Sequence, residues 1–358
     1  MARFRIWEQS PLFFLLLLMV FIGGWTFSPR DVSCKRSQMI MDTVFSVIVY
    51  GQDKSHLEKS VEAAFEEVRR IEKLTDRYDT ESLLSLFNSG RLPPAQHLSP
   101  EQTKSLKELY ELLERTCSMG RATGGLFDPT LGPVIDLWKF KTENPIVPLP
   151  EQVKEVLSLT GLDKITFLPD GTPSLVPRVL LNLSGVAKGY AVDRAVMILR
   201  QRGIKHCLVD GGGEVRAIGG KPGGKPWLIG IKDPRGAGCI GSIEAENLAC
   251  ATSGDYERYF EQAGKRYHHI LDPETGFPAR MVQSVTVVAP SVFEADILAT
   301  AAFVGGEAGI RSLSSRMTSA GFVLFSPDER VLCAGQLPPS LLFNPGQKVI
   351  RIATGENR

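Results

Sequence analysis

The sequence predicts an α+β fold, a mixed or antiparallel sheet flanked by helices, and three observations lead there. Leu57, Val61, Ala64, Phe65, Val68, Ile71 and Leu74 recur at helical spacing with charges between them. Strand-like runs at 206–209, 228–232 and 241–245 follow one another across glycine-rich turns with no helix between them. Long helices mixed with strands that do not alternate strictly belong to α+β architectures. There is no repeat at solenoid period and no low-complexity segment.

In chain order, 43–50 is rich in Val, Phe and Ile and reads as a strand, and 57–74 is the first long helix. A second amphipathic helix starts at Ser99, with Ser99 and Gln102 in capping-box register, and runs to about Cys117. Residues 120–141 form a loop rich in Gly and Pro, followed by a short surface helix and turn over 145–159. Leu180 to Leu183 reads as a short apolar strand leading into a helix that starts at Ser184 and reaches about Gly203. A further strand over 283–289 and a helix over 291–304 complete the reading.

Of the 358 residues, 43% are hydrophobic and 23% charged, the proportions of a globular protein. The formal net charge of +1 supplies no field for nucleic acid, so an anionic ligand needs a local site. The first thirty residues differ. Arg3 and Arg5 precede an apolar run from Leu12 to Ile22, and no charge intervenes between Glu8 and Arg30. This is an export signal or membrane anchor. An uncleaved anchor is preferred because no small-x-small cleavage site stands out. The expected organisation is anchor and linker over 1–36 and one domain over 37–358; flanking Lys/Arg counts are similar and do not set the orientation, and export to the periplasmic side of the inner membrane is the expectation. The six cysteines are scattered without a C-x-x-C, and Cys207 and Cys333 lie in apolar runs as expected of small core residues.

Three clusters carry chemistry. In Asn182-Leu-Ser-Gly-Val-Ala-Lys188-Gly189, Ser184 is placed to cap a helix whose free N–H groups suit an anion, and Lys188 falls in its first turn. The plain alternative is a capped helix with a solvated lysine. Asp296 and Thr300 are four apart on an apolar helix, so a carboxylate and a hydroxyl share a face where burial is costly. A hard cation such as Mg²⁺ offsets that cost; so would an ion pair with a lysine, or a capping contact to a neighbouring loop. His269 precedes Asp272 by three residues in a loop, an acid/base pattern whose alternative is a polar turn with a structural histidine.

In combination these segments resemble the ApbE family of FAD:protein FMN transferases over nearly all of the chain beyond residue 36. The resemblance is carried by Met41-Asp42-Thr43, by Tyr78 through Ser82 and Asn88, and by Gly125-Leu126-Phe127-Asp128-Pro129-Thr130 with Gly132-Pro133 and Leu137-Trp138. It continues through Leu183-Ser184-Gly185-Val186-Ala187-Lys188-Gly189-Tyr190, Ser253-Gly254-Asp255-Tyr256, His269-Ile270-Leu271-Asp272-Pro273 with Thr275-Gly276 and Pro278, and Ala295-Asp296 with Thr300.

The resemblance implies a T-fold-related α+β domain that binds FAD through Met41, Tyr78, Gly124, Gly125, Leu126, Asn182, Lys188 and Ile270. It implies Mg²⁺ on the Gly185 carbonyl, Asp296 and Thr300, and transfer of FMN to a Ser/Thr hydroxyl of an exported or membrane redox protein, releasing AMP. His269, helped by Asp272, is the expected proton-handling group. Asp42 stands where the family usually has glycine, and Asn182 where it usually has aspartate. Competing readings are an FAD pyrophosphatase, with water as the attacking group, and a non-catalytic flavin carrier.

Overall fold

The computed structural model describes residues 31–352 apart from 141, 143 and 144. The expected export or anchor segment lies outside these residues. Among the described residues no helix is long and apolar enough to cross a membrane.

The chain opens on a hairpin of β1 (Val32–Ile40) and β2 (Thr43–Gly51), so residues 32–36, read above as linker, belong to a sheet strand. Met41 and Asp42 join the strands with φ of 55° and 59°, the two-residue turn whose twist suits a hairpin. Helix α1 (Lys54–Thr75) is capped by Asp53 and buries the seven-residue apolar stripe expected of it. Next come α2 (Leu83–Asn88) and α3 (Pro100–Ala122), the latter opening on the Ser99–Gln102 capping box. The Gly/Pro-rich region beyond α3 contains an unforeseen helix, α4 (Gly132–Trp138), and α5 (Pro150–Leu157) is the expected short helix. A small hairpin of β3 (Ile165–Phe167) and β4 (Pro173–Leu175) precedes α6 (Ala187–Gln201).

Residues 180–183 are not a strand, apart from an isolated bridge between Leu180 and Leu131. Their backbone is satisfied by other means: Asn88 brackets Leu181, accepting from its N–H and donating to its carbonyl at 2.9 Å each, and the Asn182 N–H donates to the Pro129 carbonyl. Apolar character here reflects burial without a sheet.

The second half supplies β5 (His206–Asp210), β6 (Val215–Ile218), β7 (Trp227–Lys232), β8 (Cys239–Ala245), β9 (Leu248–Gly254), β10 (Tyr259–Gln262), β11 (Lys265–His268) and β12 (Ser284–Ala289). Helix α7 (Val292–Arg316) follows, then β13 (Gly321–Phe325), β14 (Arg330–Gly335), β15 (Leu341–Phe343) and β16 (Lys348–Arg351). Helix α7 runs past the expected end at 304, through a break at Gly306 (φ 58°).

Nine strands make one sheet in the order β1-β2-β5-β6-β9-β12-β13-β14-β16, antiparallel except for the last pair. Both faces are covered. Ala249, Ala251, Phe322, Leu324, Leu332 and Ala334 pack in the core shared with α1, α6 and α7. Their strand neighbours Leu248, Cys250, Val323, Phe325, Val331 and Cys333 pack against the small sheet β15-β8-β7 through Trp227, Ile229, Ile231, Ile240 and Ile243. Strands buried on both faces lose the polar alternation, which explains the sequence pattern. Cys207 and Cys333 are buried as expected, and all six cysteines are free thiols.

Helices α6 and α7 meet at Gly189, where a Cβ would lie 2.5 Å from the Val292 carbonyl oxygen and 2.8 Å from Asp296 Cβ. Gly189→Ala is therefore expected to lower stability by about 1–3 kcal/mol in urea unfolding, the usual range for an overpacked site. An unchanged midpoint would show that the helices part freely.

Candidate functional site

A cavity of about 420 Å³ opens where turns from the two halves of the chain converge, within the size range of small-molecule sites. Met41 and Asp42 enter from the β1–β2 turn, Arg77 and Tyr78 from beyond α1, and Leu126 and Phe127 from beyond α3. Asn182, Gly185 and Lys188 come from the approach to α6, His269 and Ile270 from beyond β11, and Asp296 and Thr300 from α7.

These turns are fixed to one another by backbone contacts. The Met41 N–H donates to Glu72 Oε1 at 2.7 Å, tying the hairpin to α1. Asp128 accepts from the Thr130 N–H and hydroxyl, Pro129 holds Asn182, and Trp138 Nε1 donates to the Gly276 carbonyl at 2.9 Å. Tyr78 is half exposed, with the Arg77 guanidinium 4.6 Å from its ring centre.

Helix α6 starts at Ala187, three residues later than expected, and Ser184 does not cap it. The Ser184 N–H instead donates to Asn182 Oδ1 at 2.9 Å. The cap comes from another helix: Gly189 N–H, third in α6, donates to Asp296 Oδ2 at 3.0 Å. This contact sets Asp296 beside the 182–188 turn. Thr300 lies against the same turn, since a Cβ at Gly185 would sit 3.7 Å from its hydroxyl. The Thr300 hydroxyl also lies 3.4 Å from that of Ser253. A carbonyl, a carboxylate and a hydroxyl are all hard oxygen donors, the chemistry Mg²⁺ prefers. With only one of them carboxylate, this set agrees with the absence, among the described residues, of any metal-competent group of three His, Cys, Asp or Glu.

The electrostatics are those of buried acids around one ammonium. Burial pushes the Asp296 carboxyl up to about 6, against the pull of Lys188 and the Gly189 N–H. Lys188 bonds Glu214 Oε1; burial disfavours its charge, but the carboxylates of Glu214, Asp296 and Glu257 outweigh that and raise it. Glu214, itself 1% exposed, is raised chiefly by burial.

His269 is displaced the other way. Burial, then the nearby Arg258 and His268, lower it from 6.5 to about 3. Its Nδ1 lies 3.2 Å from the Arg258 carbonyl, which can only accept, so Nδ1 carries the hydrogen and Nε2 keeps a lone pair.

Asp272 is not hydrogen-bonded to His269. Its carboxylate accepts from the Glu274 N–H at 2.9 Å and the Thr275 hydroxyl at 3.1 Å, closing its own turn, and it is absent from the cavity lining. Gly124 and Gly125, with φ of 75° and 83°, form the turn that ends α3 and likewise lie outside the lining; they direct Leu126 inward. The cavity also takes in Glu214, Lys232, Glu257 and Arg258, which no sequence cluster singled out. Three consecutive glycines before Glu214 were the available clue to that one.

Known proteins match this chain in sequence and fold. The ApbE family model matches residues 41–323. The FAD:protein FMN transferase of Treponema pallidum is 31% identical over 88% of this chain and 91% of its own length. That of Haemophilus influenzae is 34% identical over 78% and 81%. Among solved structures, the ApbE protein of Thermotoga maritima superposes with a TM-score of 0.75 at 35% identity, covering 84% of this chain and 96% of its own. The flavin transferase ApbE of Vibrio cholerae gives 0.69 at 30%, covering 83% and 94%. A fold, a set of converging turns and relatives at this identity over most of their length lead to one conclusion: the chain belongs to the ApbE family and is an enzyme of it.

Proposed function

We propose that this enzyme transfers FMN from FAD to a Ser or Thr hydroxyl of an acceptor protein, with Mg²⁺ in the site and AMP as the leaving group. The observation that carries the reading is the meeting of Gly185, Asp296 and Thr300 in one cavity with Lys188 and an uncharged His269. Lys188 supplies positive charge for a diphosphate, and Tyr78 offers a ring on which a flavin stacks. The acceptor oxygen attacks the phosphorus on the FMN side, the bond from that phosphorus to the AMP oxygen breaks, and the hydroxyl proton passes to His269 Nε2. Gly185, Asp296 and Thr300 would hold Mg²⁺, which when bound would supply neutralising charge to the diphosphate. The charged-then-apolar start of the sequence supports an export or anchoring role and, with it, an acceptor among exported or membrane redox proteins.

Incubation with FAD, Mg²⁺ and a candidate acceptor, followed by denaturing electrophoresis, is expected to leave fluorescent flavin on the acceptor. Excess EDTA should abolish labelling. Free FMN and AMP without labelling would identify a pyrophosphatase, and neither product a carrier.

His269→Ala is expected to slow transfer by about 10²–10⁴-fold, the usual contribution of a positioned base, while FAD still binds. Undiminished transfer removes His269 from the mechanism.

The low proton affinity of His269 also has a sign for stability. Between about 3 and 6.5 the unfolded chain takes up a proton that the native ring refuses. This contribution is intact above 6.5 and is lost as pH falls below it. Between about pH 8 and about pH 5 the wild type should therefore lose more unfolding free energy than His269→Asn. Equal losses would mean that the ring titrates normally.

A further inference from the structure

Strands β5 and β6 are joined by Gly211-Gly212-Gly213-Glu214, a turn whose only side chain is the carboxylate of Glu214. The turn is held rigidly. The Gly212 and Gly213 N–H groups both donate to Asp210 Oδ1, at 3.0 and 2.9 Å, and Gly211 N–H donates to the Glu214 carbonyl. Gly212 (φ 86°) packs so closely on the β1–β2 hairpin that a Cβ would lie 2.1 Å from the Thr43 hydroxyl. Such a turn can be built only with glycine, and it aims Glu214 into the cavity.

The two oxygens of that carboxylate have different fates. Oε1 bonds the Lys188 ammonium, whereas Oε2 is buried without a hydrogen-bond partner among the described residues, in a side chain only 2% exposed. A buried carboxylate oxygen left unpaired is costly, and a ligand group that donates to it recovers that cost. The neighbouring charge restricts what the group is. Lys188 faces the diphosphate in the reading above, and Oε2 shares a carbon with the oxygen that holds Lys188. In its ionised form, paired with the Lys188 ammonium, Glu214 offers Oε2 only as an acceptor, so the ligand atom meeting it is a donor next to a phosphate, not the phosphate itself, which like charge would repel. In a dinucleotide the donors flanking the diphosphate are sugar hydroxyls.

We propose that Glu214 is a substrate-binding residue whose Oε2 accepts a hydrogen bond from a hydroxyl of the dinucleotide, on the ribityl chain of one half or the ribose of the other. The inference rests on the cavity being a dinucleotide site. Glu214 thus has two tasks, fixing Lys188 through one oxygen and reading a sugar hydroxyl through the other.

The test measures binding of FAD, FMN and ADP at saturating Mg²⁺ to the wild type and to Glu214→Gln, which keeps shape and an oxygen toward Lys188. FAD affinity should fall about 10- to 100-fold, the range for a hydrogen bond to a charged group. FMN should weaken alone if the hydroxyl is on the ribityl chain, and ADP alone if it is on the ribose. Equal weakening of both halves would mean that only Lys188 had been displaced, and would overturn the proposal. So would unchanged binding of all three, or recovery of FAD affinity in excess Mg²⁺, which would assign Glu214 to the metal. On the wild type, analogues lacking single ribityl or ribose hydroxyls should show the same loss at one position; no loss at any position overturns the proposal without recourse to a variant. Failure of the wild type to bind FAD at all would instead remove the dinucleotide reading.

Discussion

The hydrogen bond from the Gly189 N–H to Asp296 is the contact on which the site depends. Helix α6 begins without a side-chain cap of its own, leaving N–H groups that need an acceptor. Asp296, buried among apolar residues in the second turn of α7, needs donors. Each meets the other's requirement, and only a glycine at 189 lets the helices come close enough. The same approach brings the 182–188 turn against Thr300, so the proposed metal donors and Lys188 are positioned by one helix crossing. A favourable interaction between a carboxylate and a helix N-terminus adds to the contact. The crossing thus serves stability and the site at once, and neither task can be relaxed alone.

The two departures from the family pattern take on physical meaning in this frame. Asp42 occupies the second position of a turn in which both residues have positive φ, a place that favours glycine. Aspartate is among the few other residues that visit this region readily, and its carboxylate lies 3.5 Å from Arg258 across the cavity mouth. Its charge is thereby balanced locally, at modest gain for so exposed a pair. Asn182 accepts from the Ser184 N–H, which an aspartate oxygen would do equally well. Its loop role is preserved. What changes is charge: the wall already bears Glu214, Glu257 and Asp296, and an amide there adds a donor instead of another anion.

Periodicity found the long helices because their stripes are local. The first helix, the Ser99 capping box and the helix at Ser291 are all where spacing and caps place them. The failures share a cause. Leu180 to Leu183 imitates a strand because burial alone demands apolar residues, and Asn88, ninety-odd residues earlier, satisfies its backbone. Ser184 was well placed to cap α6, but Asp296 from another helix took that role. Asp272 and His269 are neighbours in sequence, yet the carboxylate is used up within its own turn. Gly124 and Gly125 bend the chain beside the cavity without reaching it. In each case a tertiary partner, invisible to a local window, decided between two locally acceptable outcomes. The family resemblance gathered the correct segments; contact within each segment required the fold.

Charge balance explains why a cation belongs with the dinucleotide in the proposed reaction. Lys188 is a single ammonium shared by the carboxylates of Glu214 and Asp296, both more than nine-tenths buried, with Glu257 nearby. One positive charge cannot neutralise both, and the upward shifts of Asp296 and Glu214 record burial first and the neighbouring carboxylates only after it. A diphosphate entering alone would make the excess worse, because like charges in a low-dielectric cavity repel strongly. A divalent cation arriving with it reverses the sign of the problem, since the acids that repel bare phosphate are those that attract the ion. In the proposed reaction the ion would thus make an acidic site receptive to the dinucleotide, tying occupancy to the substrate form that can react.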